Sequence, residues 1–151
     1  MPEQYDFAFG QPGKVRGAVR VRFEDDHVAY WMCVDLGVDG FVVVRHDDVP
    51  LPRGPLLELR ADGLWAELVC EVPGEHWAFA LEGFGLQMAD REEARTAERG
   101  ERLPVGFDLE WDGGRVVGEV LVGRRRIAID GEGGFHHTSD AGAADEWSDW
   151  L

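Results

Sequence analysis

The chain has 151 residues, and its 30 acidic side chains against 15 Lys and Arg give a formal net charge of −15 at pH 7. A chain of this length is expected to form one domain with a real core and no staples. So acidic a surface repels phosphate backbones, which argues against a nucleic-acid partner. No apolar run approaches membrane-spanning length and no charged-then-apolar leader opens the sequence, so the expectation is a cytoplasmic protein with no membrane partner.

Period-2 patterning dominates. Val15, Val19, Val21 and Phe23 alternate with Arg16, Arg20 and Arg22, which predicts a half-buried strand with a solvated arginine face. His27–Val34 and Phe41–Arg45 follow, joined through Asp39-Gly40, a dipeptide suited to a tight hairpin with positive φ at both turn positions. Cys33 and Cys70 lie within apolar runs without CxxC spacing and are expected as buried free thiols. The Pro50–Pro55 piece reads as a loop.

Leu56–Arg60 and Leu64–Val72 form a second hairpin through Asp62-Gly63. In His76–Leu86 the pattern puts Trp77, Phe79 and Leu81 on one side and His76 and Glu82 on the other. Asp90 is a candidate N-cap with Glu93 at the capping-box position, so a helix is predicted over Glu92–Arg99 and stopped by Gly100. Val105, Phe107, Leu109 and Trp111 then alternate cleanly with Gly106, Asp108, Glu110 and Asp112. Asp112-Gly113-Gly114 turns the chain into Val116–Val122, and Gly123 into Arg125–Asp130. About nine short strands and a single helix predict an all-β antiparallel barrel or sandwich, and closure into a barrel removes exposed edges. Residues 1–137 are assigned to the barrel. Residues 138–151 form an acidic tail whose Trp147 and Trp150 are expected to dock on it.

Two stretches carry a resemblance. Glu75-His76-Trp77-Ala78-Phe79-Ala80-Leu81-Glu82-Gly83-Phe84-Gly85 and Pro104-Val105-Gly106-Phe107-Asp108-Leu109-Glu110-Trp111 are similar to actinobacterial members of the AttH/hydroxyneurosporene-hydratase-like superfamily. Asp47–Pro52 and Gly118–Gly123 are similar to it too. That resemblance implies a lipocalin-like barrel, and it implies carotenoid hydration or polyketide ring closure among the activities. The family motif G-x-G-x-R-D-H-S-W-G is only partly kept at Gly131-Glu132-Gly133-Gly134-Phe135-His136-His137-Thr138-Ser139-Asp140. His137 falls on the motif histidine, while the arginine, the tryptophan and the last glycine are missing. One barrel also cannot assemble a two-barrel site, so any chemistry would belong to a single barrel or a homodimer.

No nucleophile elbow, P-loop, zinc spacing or dinucleotide fingerprint is present. No metal site and no cofactor are therefore expected, and neighbouring His136 and His137 would face opposite ways on a strand. Asp108 and Glu110 share a face, but on an amphipathic strand such a pair is ordinarily solvated. His76 with Glu82 would make a general acid and base only if their face is lumenal; if it is external they are surface groups. His137 is either a second polar handle or a buried structural group. Trp65, Trp77, Phe79, Phe107 and Trp111 would line or wall a cavity for a polyketide- or terpenoid-like molecule. The favoured expectation is a cofactor-free cyclase, isomerase or hydratase. The alternatives are a non-catalytic carrier and a packed interaction domain.

Overall fold

The computed structural model describes residues 2–11, 13–54 and 57–139. Ten antiparallel strands follow one another: β1 (Glu3–Gln11), β2 (Val15–Phe23), β3 (Val28–Asp35), β4 (Phe41–Val49), β5 (Leu57–Ala61), β6 (Leu64–Val72), β7 (His76–Met88), β8 (Glu101–Asp112), β9 (Arg115–Val122) and β10 (Arg125–Thr138). A 3-10 turn at Gly37–Asp39 and one helix, α1 (Arg91–Thr96), complete the described elements. The strands run in the order β4-β3-β2-β1-β10-β9-β8-β7-β6-β5, and a further β4–β7 pairing closes eight of them into a ring. The fold is thus all-β and barrel-like, with one short helix.

β1 carries Tyr5, Phe7 and Phe9 on one face but has polar and small residues between them, so its alternation was not singled out in the sequence. It is nonetheless the strand that joins β2 to β10.

The closure is one-sided. β4 meets β7 only at Phe41–Val43 against Leu86–Met88, whereas the first half of β7 pairs with β6. At the end holding Phe41 and Met88 the wall is therefore an eight-strand ring. At the other end the β5–β6 hairpin joins the wall, and β4 and β5 share no hydrogen-bonded ladder there. Leu59, Leu64, Ala66 and Leu68 of this hairpin are buried in the main core. The wide end also holds the turns between β2 and β3, β6 and β7, and β8 and β9.

The hairpins are built differently from the expectation of two positive φ angles per turn. Among the described residues Ala97 is the only non-glycine with positive φ, so Asp39 and Asp62 stay in ordinary backbone regions. The β3–β4 connection instead runs through Gly37 (φ 72°) and Gly40 (φ 85°), with the Leu36 amide donating to the Gly40 carbonyl at 2.8 Å. The Cβ of any larger residue at Gly40 would lie 2.3 Å from the Met88 carbonyl oxygen, so the turn also requires close approach.

α1 begins as its sequence predicts, with Asp90 accepting from the Glu92 amide. It ends at Thr96, earlier than expected, because Ala97 takes the left-handed conformation and caps it. The helix covers a second, smaller core on the outside of the barrel, where Ala94 packs with Trp31, Cys33, Phe41, Val43 and Met88. This explains why β3 and the Phe41–Val44 half of β4 read as nearly continuous apolar runs: both of their faces are covered there.

Two expectations are corrected here. Cys70 is exposed, because it sits where β6 runs out past the core; only Cys33 is buried, and burial pushes its thiol up to about 12. The arginines of β2 are not a uniformly solvated face. Arg22 is buried and bonds Gln4 and Glu24, and Arg20 pairs with Asp6 at 2.7 Å. The tail expectation for Trp147 and Trp150 lies outside the described residues.

Candidate functional site

The inward face of β7 and β8 supplies the aromatic interior. Trp77, Phe79, Phe107 and Trp111 are all buried there. They do not stand apart around an open lumen. Phe7, reaching in from β1, lies 5.7 Å from Trp77, 5.2 Å from Phe79 and 5.0 Å from Trp111, and Phe79 meets Phe107 at 5.1 Å. These are the tilted and edge-on geometries of a packed aromatic cluster. Trp65 is elsewhere. Leu64, Ala66 and Leu68 take the inward face of β6, which leaves Trp65 half-buried on the outer face opposite Glu82.

Inside this cluster the polar atoms are unequally served. The Trp111 indole Nε1 donates to the Ala8 carbonyl at 2.9 Å. The Trp77 indole Nε1 and the Tyr30 hydroxyl are buried and have no hydrogen-bond partner among the described residues. Tyr30 is enclosed in the core, and burial holds its phenol well above the usual tyrosine range. Tyr30 meets Phe79 edge-on at 6.2 Å, and Phe79 is two positions along the same face from Trp77. Both orphaned groups therefore belong to side chains of one aromatic interior, with Phe79 between them.

His46 stands directly opposite Tyr30 across the β3–β4 ladder, just before a bulge that shifts the register at Val28/Tyr30. It is half-buried, and burial lowers its pKa despite the opposing influence of Asp47. It lies on the half of β4 that has left β7, next to the break in the wall. Neither Tyr30 nor His46 was picked out from sequence. Tyr30 sat in a run that reads as plain core, and only its missing partner sets it apart.

His137 lies at the rim of the wide end, not in the interior. It pairs with Tyr5 across β1–β10, and the two rings stack at 4.3 Å with 3° between their planes. Its side chain is 40% exposed and its Nε2 is 3.9 Å from Glu3 Oε2. The reading of His137 as a buried structural group is thus corrected: the strand carries it past the core, and Tyr5 covers only one side of its ring. Tyr5 itself is raised above the usual phenol range, by burial first and then by Glu3.

For His76 and Glu82 the external alternative holds, and the lumenal acid–base one does not. Both side chains lie on the outer face of β7, because Trp77, Phe79 and Leu81 take the inner one. They are six residues apart along one strand, a separation of about 20 Å, so they cannot act on one substrate atom. His76 instead contacts Glu71 at 3.1 Å and Glu110 at 3.9 Å. Asp108 and Glu110 are exposed, as the amphipathic pattern predicts.

Two hollows of about 570 and 550 Å³ flank the β1–β2 turn at the narrow end and share Gly13, Lys14, Val15 and Gly37 in their walls. Four of their charged lining residues form the ion pairs Arg16–Asp35 at 3.4 Å and Arg125–Asp39 at 2.8 Å. No helix of the described residues is long and apolar enough to cross a membrane. Comparison of the chain with protein-family models, with curated proteins and with solved structures finds no match in any of the three.

Proposed function

We propose that this protein binds an apolar small molecule at the wide end of its barrel, held by hydrogen bonds from Tyr30 and Trp77. The observation that carries the reading is the pair of buried polar groups without a partner among the described residues, facing one aromatic interior. An unmade hydrogen bond at a buried donor costs on the order of 1–3 kcal/mol. Native interiors seldom keep such groups without a role or a bound partner. A ligand with a carbonyl, ether or hydroxyl oxygen, on an otherwise apolar polyketide- or terpenoid-like skeleton, satisfies both groups and adds to the aromatic packing. The missing β4–β5 ladder provides a flank through which the hairpin can yield to admit it.

The similarity to the AttH/hydroxyneurosporene-hydratase-like superfamily belongs to the same proposal, since a lipocalin-like carrier or cofactor-free enzyme of that kind takes such a ligand. Any proton transfer falls to His137, the candidate catalytic histidine whose ring stacks on the core residue Tyr5 at the rim, with Glu3 beside it. Carriage without chemistry requires only Tyr30 and Trp77. Titration with a panel of polyketides, terpenoids and fatty acids, followed by tryptophan fluorescence, tests the reading. Saturable binding that is weakened by Tyr30→Phe supports it. A panel that leaves the spectrum unchanged overturns it in favour of a packed interaction domain.

A further inference from the structure

The outer face of the same sheet carries a cluster that the interior site does not use. Glu71, His76 and Glu110 come from three adjacent strands, β6, β7 and β8, and their ligand atoms all lie within 4.8 Å of one another. A bulge helps to assemble them. The β6–β7 register shifts between Cys70 and Val72, so the chain at Glu71 is bunched opposite His76. Glu110 reaches the same spot from β8, where His76 itself pairs with Asp112.

His76 Nε2 is sealed from solvent. Although it is 3.1 Å from Glu71 Oε2, its alignment gives no hydrogen bond. Two carboxylates thus converge on a nitrogen that neither satisfies, on a chain whose formal charge is already −15. With metal–ligand distances of about 2.0–2.2 Å, ligand atoms around one tetrahedral or octahedral ion stand roughly 3 to 3.5 Å apart. The Nε2 contact of 3.1 Å to Glu71 already has that spacing and the 3.9 Å contact to Glu110 is slightly longer, so a small rotation of exposed Glu110 completes it.

We propose that Glu71, His76 and Glu110 form a surface site for a divalent transition metal of the zinc class. An imidazole nitrogen with two carboxylates favours zinc, cobalt or manganese over calcium and magnesium, which prefer oxygen alone. Three protein ligands leave at least one position for water or for a carboxylate from outside. The ion ties β6 to β7 and β8 and neutralises part of the acidic wall around Glu71 and Glu110. Because the site lies on the outer face, it is independent of ligand binding inside the barrel.

The test is calorimetric titration of the untagged protein with zinc chloride, repeated with cobalt chloride while visible absorption is followed. The expected result is one saturable site, a rise in melting temperature with zinc that EDTA reverses, and cobalt bands characteristic of low-symmetry coordination. His76→Ala and Glu110→Gln should each weaken binding at least tenfold, whereas His136→Ala, on another strand, should leave it unchanged. Circular dichroism of each variant establishes that the barrel is intact. Absence of saturable binding, equal affinity for calcium, or zinc affinity indifferent to His76→Ala in a folded variant overturns the proposal.

Discussion

Trp77 and Trp111 stand directly opposite one another on β7 and β8, yet only one of their indoles is satisfied. Trp111 Nε1 donates to the Ala8 carbonyl across the barrel, while Trp77 Nε1 is buried without a described partner. The difference predicts an asymmetry in stability. Trp111→Phe removes a made hydrogen bond as well as packing, and should cost about 3 kcal/mol or more. Trp77→Phe removes a donor that has no protein partner, so its cost should be smaller by roughly 1 kcal/mol. Urea denaturation of both variants measures the difference, and equal losses would show that the Ala8 bond contributes nothing.

The Trp111–Ala8 bond depends on a glycine. A Cβ at Gly133 would stand 2.0 Å from the Ala8 carbonyl oxygen and 2.7 Å from Val116 Cγ2. The first obstacle is backbone, so it cannot rotate away. Gly133→Ala is therefore expected to destabilise by about 3 kcal/mol or more through strain and displacement of that oxygen. Gly134→Ala, one residue on, meets nothing within 4 Å and should change stability by less than about 1 kcal/mol. Comparing the two melting temperatures checks the claim, and similar shifts would contradict it.

The thiols should react in two stages. Cys70 is exposed, whereas Cys33 lies under α1 with its pKa pushed up to about 12 by burial. A thiol reagent at neutral pH is expected to label Cys70 at once and Cys33 only on unfolding. Two equally fast equivalents in the native state would mean that the outer core beneath α1 is open.

Acid should weaken the fold through His46. Its folded pKa is depressed by burial, so the unfolded chain binds the proton more readily. Stability is then full above the unfolded value of about 6.5 and falls as the pH drops from there through the folded pKa. His27 is shifted the opposite way by Asp26, but both groups are solvent-screened, so its contribution is slight. The decline in melting temperature as the pH drops below about 6.5 should shrink in His46→Gln. An unchanged slope would place the acid sensitivity in other groups.

Most of the wall was legible in the sequence because β2, β7 and β8 alternate strictly, and that alternation assigned the faces of Trp77, Phe79, Phe107 and Trp111 correctly. The extra strand β1 was hidden by its mixed outer residues. The site was far less legible. Period 2 places His76 and Glu82 together on one face but cannot say which face is lumenal, and the neighbouring Trp77 decides it against them. It also cannot register a missing partner, which is what distinguishes Tyr30 from any other buried tyrosine. The Glu71–His76–Glu110 cluster needed the β6 bulge and the pairing of three strands, neither of which is written in local spacing.

In the proposed function Tyr30 and Trp77 hold a ligand inside the wide end. The most direct measurement is the affinity of the tightest-binding apolar oxygen-bearing compound for wild type, Tyr30→Phe, Trp77→Phe and the double variant. Each hydrogen bond to a buried ligand oxygen is worth about 0.5–1.5 kcal/mol net, so each single variant should weaken binding by roughly 2- to 13-fold, and the double variant by more. Saturable binding with the same affinity in all four folded proteins would rule out this role, since the two orphaned groups would then have no part in recognition.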